Sequence, residues 1–212
     1  MAGISAKDVK ELRGRTGAGI MDAKGALQEA AGDMDKAIEI LRVKGQVRAA
    51  KRGDRVASEG LVGSYVHHNG RIGVLVEVNC ETDFVAGTDE FKAFVREVAS
   101  HVAAAAPQYV SEDDVPEEDR SAELRILQEQ AAASGAERSG PSGARGKPAE
   151  VQEKIAEGRM RKWLEEVVLL DQTHVNEDKH GSKTIEELRA ELASNTGENV
   201  VIRRFARFVI GE

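Results

Sequence analysis

Residues Leu61–Asn79 read LVGSYVHHNGRIGVLVEVN, and this stretch decides the fold. Asn69-Gly70 sits between two apolar runs, a strong short-range hairpin signal because both residues tolerate positive φ. In the second run Ile72, Val74, Val76 and Val78 alternate onto one face, the side expected to meet a core. A helix is expected from about Thr88, with Phe91, Phe94, Val95, Val98, Ala99 and Val102 on one stripe that covers the sheet and stops before Pro107. The connection between strand and helix is Glu81-Thr-Asp-Phe-Val-Ala-Gly87. Far downstream, Val200–Ile210 alternates strongly and reads as a closing strand. The fold class is α+β, a small antiparallel sheet packed against helices.

Upstream of the hairpin the period changes. Ser5 with Asp8 three residues on is a capping-box pattern, and Val9 and Leu12 then share a helix face. Thr16-Gly-Ala-Gly19 is a turn, after which Ile20, Ala23, Leu27 and Ala30 recur at helical spacing until Gly32-Asp33. Met34, Ala37, Ile38 and Leu41 form a third stripe, expected to end before Gly45. Residues 1–45 thus make a minimal three-helix module, too small to bury much surface and expected to dock on something else. The run 42–55 holds Arg42, Lys44, Arg48, Lys51, Arg52 and Arg55 against Asp54 alone, so residues 46–59 read as an exposed basic linker. Residues 60–212 form the second domain.

Within that domain, Glu112–Asp119 is an acidic helix entry and Ala122–Ala132 a helix. Residues 134–147, SGAERSGPSGARGK, are rich in Gly and Ser without apolar anchors and read as a flexible insertion. Pro148 opens a helix through Val151, Ile155, Met160 and Trp163, and Thr184 with Glu187 caps another.

Composition excludes several function classes. The 212 residues carry 37 Asp plus Glu against 30 Lys plus Arg, a net charge of −7. The asymmetry is sharp: +4 for residues 1–55 and −11 for the rest. The acidic part repels phosphate, so no direct nucleic-acid partner is expected. The longest apolar run, Val102–Ala106, falls far short of the ~20 residues of a membrane span, and MAGISAKD lacks the apolar segment of a signal peptide. With Cys80 as the lone cysteine, a cytoplasmic protein without disulfides is expected.

No motif for chemistry survives inspection. GPSGARGKP resembles a phosphate loop, but Pro141 occupies the first glycine position and Pro148 follows Lys147 where Ser or Thr is needed. Gly17, Gly19 and Gly25 do not follow a strand. None of the five histidines has zinc-protease spacing, and His67 and His68, adjacent on a strand, point to opposite faces, so no metal site and no cofactor are expected. Arg203, Phe205 and Arg207 would share one strand face and could stack on RNA bases. With the basic linker they carry the alternative reading, an RNA-binding or ribosome-associated protein. Phe84 either folds inward onto Phe91 or Val95 or projects as an interaction anchor, and the pattern does not separate the two.

Two runs are far more specific. Val9-Lys-Glu-Leu-Arg-Gly-Arg-Thr-Gly-Ala-Gly-Ile-Met-Asp-Ala-Lys24 and Glu77-Val-Asn-Cys-Glu-Thr-Asp-Phe-Val-Ala86, followed by Glu157-Gly-Arg-Met160 and Glu198-Asn-Val-Val-Ile-Arg-Arg204, resemble bacterial elongation factor Ts over almost the whole chain. The resemblance implies a non-enzymatic guanine nucleotide exchange factor for elongation factor Tu. It implies a ubiquitin-associated-like start that docks through the positions of Arg13, Ile20 and Met21. It also implies that the Thr82, Asp83, Phe84 and Val85 positions meet the GTPase near its Mg²⁺, with Phe84 as a wedge and Asp83 beside it. The chain looks like the family's short form, with one core subdomain and no long coiled-coil hairpin, so a homodimer is expected to supply the missing surface.

Overall fold

The computed structural model describes residues 4–137 and 149–211. Three helices open the chain: α1 (Ala6–Thr16), α2 (Ile20–Glu29) and α3 (Met34–Ala50). The hairpin follows as β1 (Glu59–Val66) and β2 (Ile72–Cys80), then a one-turn helix α4 (Asp83–Ala86) and the long α5 (Asp89–Ala105). Next come α6 (Glu117–Glu137), α7 (Ala149–Val167), the short α8 (Glu177–His180), α9 (Ile185–Thr196) and β3 (Val201–Val209). The sheet order is β1-β2-β3, antiparallel throughout, so the expected α+β class holds.

The alternation of β2 does what its pattern demands. Val74, Val76 and Val78 are buried against Phe91, Val95, Val98 and Val102 of α5, with Ile185, Leu188 and Leu192 of α9 completing the core. The helix comes unusually close to β1 at Gly63, where an added Cβ would lie 2.3 Å from Val95 Cγ1. Gly63→Ala is therefore expected to destabilise by about 1–3 kcal/mol, the usual cost of overpacking. Urea unfolding of the two proteins checks this, and equal midpoints would show that Val95 moves freely.

His101 is fully buried in the same core. The Val175 N–H donates to its Nδ1 (3.2 Å), so the neutral ring carries its proton on Nε2 and donates it to Gln172 Oε1 (2.8 Å). Burial pushes its pKa down to about 4, against the hydrogen bond to Gln172, which raises it. The unfolded chain takes up this proton near 6.5 and the folded chain only near 4, so stability falls as pH drops through that window. At pH 5 the loss is about 2 kcal/mol. Unfolding at pH 7 and pH 5 should show it, and His101→Gln should reduce the slope, with buried His174, its pKa also lowered by burial, supplying part of the remainder.

Two sequence expectations need correction here. Helix α3 does not end before Gly45 but continues to Ala50. Glycine inside a helix costs roughly 1 kcal/mol, yet the helix runs on through Gly45, which is buried beside Ser194 of α9. Arg42 pairs with Glu187 (2.6 Å), Arg52 donates to the Ala193 carbonyl (3.0 Å) and Arg55 meets Glu81 (3.4 Å). The basic run is bonded to the core at these points, while residues 51 and 53–56 are exposed.

The second correction concerns β3. Glu77 faces Arg204 while Val78 faces Ile202, so Arg203 is the extra residue of a β-bulge. Arg203 is exposed, whereas Phe205 packs on the core and Arg207 donates to the Ala103 carbonyl (3.4 Å). The three do not share one face.

Helices α6 and α7, 21 and 19 residues long, pack on each other as a pair. Helix α6 runs beyond the expected Ala122–Ala132 at both ends. Residues 134–137 of the expected insertion continue α6, and 138–147 lie outside the described residues. The sheet face opposite α5 carries exposed Val62, Val66, Leu75 and Phe208, with Arg204 and Glu77 paired at 2.6 Å.

Candidate functional site

The site grows from the end of β2. Cys80 closes the strand fully buried, its thiol pushed up in pKa by that burial and directed at the Thr82 carbonyl (3.1 Å), so it serves packing. The chain must then turn from the sheet into α5, and Glu198 from the approach to β3 makes the turn rigid. Its Oε2 accepts the N–H groups of both Glu81 and Thr82 (3.0 Å each), and its Oε1 accepts the Thr82 hydroxyl proton (2.6 Å). Glu81 reciprocates by accepting the Asn199 N–H (2.7 Å), and the Asn199 amide donates to the carbonyls of Gly53 (3.2 Å) and Arg55 (2.9 Å). Three distant chain segments are locked at one corner.

With Thr82 so held, its Oγ1 caps the Val85 N–H (3.4 Å) and residues 83–86 take one helical turn. This refines the expected irregular loop. The turn sorts its side chains: Val85 and Ala86 face the core, while Asp83 and Phe84 face solvent. Phe84 is 84% exposed. The inward alternative fails, because Phe91 and Val95 are already buried without it. A large aromatic ring held in water on a clamped turn is available for contact with a partner.

The residues expected to dock the first module are also presented outward. Helix α1 ends at Gly17, whose φ of +69° suits glycine, and the Arg13 Nε donates across the turn to the Ala18 carbonyl (3.1 Å). Arg13 and Ile20 line one shallow groove with Ile4, Val9, Lys10 and Lys24. Met21, 76% exposed, borders a neighbouring groove toward α9 instead. Asn195 connects module and turn: its amide occupies the space where a Cβ on Gly17 would stand, and it donates to Glu90 in the first turn of α5 (3.0 Å). The α1–α2 turn and the Phe84 turn therefore belong to the same end of the molecule.

Sequence reasoning missed Glu198 as the clamp. It stands in one of the quoted runs, yet its partners are 116 and 117 residues away in the chain, which no local pattern reveals.

The elongation factor Ts family model matches residues 21–181. The chain belongs to the elongation factor Ts family. It is 53% identical over 209 residues to Elongation factor Ts of Carboxydothermus hydrogenoformans, covering 99% of this chain and 90% of that one. The protein of the same name from Caldanaerobacter subterraneus is also 53% identical, with 99% and 98% covered. That of Desulfitobacterium hafniense is 50% identical over 212 residues, with 100% and 91% covered. The chain thus covers nine tenths or more of each of these elongation factors Ts. No described helix is long and apolar enough to cross a membrane.

Proposed function

We propose that this protein promotes release of GDP from elongation factor Tu, acting as a nucleotide exchange factor and breaking no covalent bond. The observation that carries the reading is the exposed Phe84 ring on a turn fixed by Glu198, in a chain about half identical to named elongation factors Ts. Arg13, Ile20 and Met21 dock the first module on the GTPase. The turn of Thr82, Asp83, Phe84 and Val85 meets it near its Mg²⁺ and phosphates, with Thr82 and Val85 holding the turn while Phe84 acts as a wedge between helices and Asp83 contacts beside it.

The mechanism is negative coupling between two ligands of one GTPase. A factor that binds the nucleotide-free state better than the GDP state must loosen GDP, and by linkage nucleotide must loosen the factor to the same degree. Displacing Mg²⁺ strips the diphosphate of its strongest counter-charge. A pre-organised ring is suited to this, because little binding energy is lost in ordering it.

Arg13→Ala is the test of docking: affinity for elongation factor Tu should weaken with the turn intact, and unchanged affinity would remove Arg13 from the interface. The RNA reading is disfavoured by particular contacts, since Phe205 packs on the core and Arg204 is paired with Glu77.

We further propose a homodimer formed through the uncovered sheet face. Val62, Val66, Leu75 and Phe208 lie there as a contiguous apolar surface of the kind that marks an association site. Sedimentation equilibrium should show a concentration-dependent mass that Leu75→Glu returns to the monomer. A monomeric mass at all concentrations would contradict this.

A further inference from the structure

We infer that Glu97, His174 and His180 form a binding site for one divalent transition-metal ion of the zinc type, tying α5 to the segment that leads into α9. Glu97 stands in the middle of α5, His174 precedes α8, and His180 ends α8. One nitrogen from each imidazole and one carboxylate oxygen lie within 4.8 Å of one another. His174 is 4% exposed and its Nε2 is buried without a hydrogen-bond partner, as is Nε2 of His180. Buried polar atoms are normally hydrogen-bonded, so His174 Nε2, without such a bond beside His180 and Glu97, calls for a ligand.

The spacing names the ligand class. His180 Nε2 lies 3.0 Å from Glu97 Oε2, yet the two are not aligned as a hydrogen bond. A tetrahedral zinc ion with arms of about 2.0–2.1 Å holds its ligand atoms roughly 3.3 Å apart. The His180–Glu97 pair is already at that separation, and the whole set needs to close by no more than about 1.5 Å. Two imidazoles and a carboxylate are a zinc donor set, leaving a fourth position for water on the side of the partly exposed His180 and Glu97.

The surroundings support the ligands. His101 stacks on His174 with centroids 5.4 Å apart and fixes the ring plane, while Lys179 pairs with Glu97 Oε1 and leaves Oε2 for the ion. His174 Nδ1 now accepts the Asn176 N–H (3.0 Å). Ligation through Nε2 moves the ring proton to Nδ1 and costs that bond, and Asn176, being exposed, turns its N–H to water.

Isothermal titration of Zn²⁺ into the full chain in chelator-free buffer, paired with thermal unfolding, tests the site. The expected result is one ion per chain at micromolar affinity or tighter, with a raised Tm. His180→Gln and Glu97→Gln should each weaken binding at least tenfold while leaving the metal-free Tm within a few degrees. The double variant His67→Gln/His68→Gln removes the other close histidine pair, whose rings are 4.2 Å apart, and should bind like the parent. No saturable binding, full binding in both site variants, or loss confined to the His67/His68 variant would each overturn the assignment.

Discussion

Phe84→Ala is expected to reduce acceleration of GDP release by a factor of 30 or more while leaving the Tm nearly unchanged. An exposed side chain contributes little to its own fold, and substitutions at such positions usually stay within about 0.5 kcal/mol. A buried aromatic anchor at an interface is worth about 2–4 kcal/mol, and each 1.4 kcal/mol is roughly tenfold. Activity and stability should therefore separate cleanly at this residue. Phe84→Leu, which keeps bulk but loses the ring, should fall between. A Phe84→Ala protein that exchanges like the parent would remove the wedge from the account, leaving at most a docking protein.

Glu198→Ala should instead damage both properties. Its carboxylate accepts two backbone N–H groups and one hydroxyl proton, and all three lose their partner together. Partly buried donors left unpaired cost about 1–3 kcal/mol each at most, less where water reaches them, so a total loss of about 2–4 kcal/mol is expected. Exchange should drop as well, because Thr82 no longer fixes the turn and Phe84 must be ordered on binding. Glu198→Gln keeps one acceptor oxygen but brings an NH₂ group toward the same donors, so it should recover only part of either property. Urea unfolding beside the exchange assay checks this, and parental stability in Glu198→Ala would show the corner to be held by Asn199 and Glu81 instead.

What the chain revealed before its structure depended on whether the controlling interaction was local. The capping boxes at Ser5 with Asp8 and at Thr184 with Glu187 form as read, because each is closed within four residues. The β2 alternation and the α5 stripe likewise meet in the core as their periods require. The extension of α3 past Gly45 was hidden, because α3 packs on α9, an element far away in the chain. The bulge at Arg203 was equally hidden: an alternating sequence gives no sign of where one strand will carry an extra residue against its neighbour. Phe84 itself was legible as a residue of interest, but its outward direction follows from the Glu198 clamp and the inward turn of Val85. The Glu97, His174 and His180 cluster escaped for the same reason, since Glu97 is joined to the two histidines only by the fold.

The central claim is that the turn at Phe84 loosens GDP by acting on the Mg²⁺ site of elongation factor Tu. Its most direct measurement is the release rate of a fluorescent GDP analogue from elongation factor Tu, with and without this protein, across a range of Mg²⁺ concentrations ending in a chelator. The account predicts large acceleration at millimolar Mg²⁺ that shrinks as Mg²⁺ is withdrawn, because the ion whose displacement is the factor's main contribution is then already gone. Tight binding to elongation factor Tu without acceleration, or an acceleration of the same size at every Mg²⁺ concentration, would contradict it.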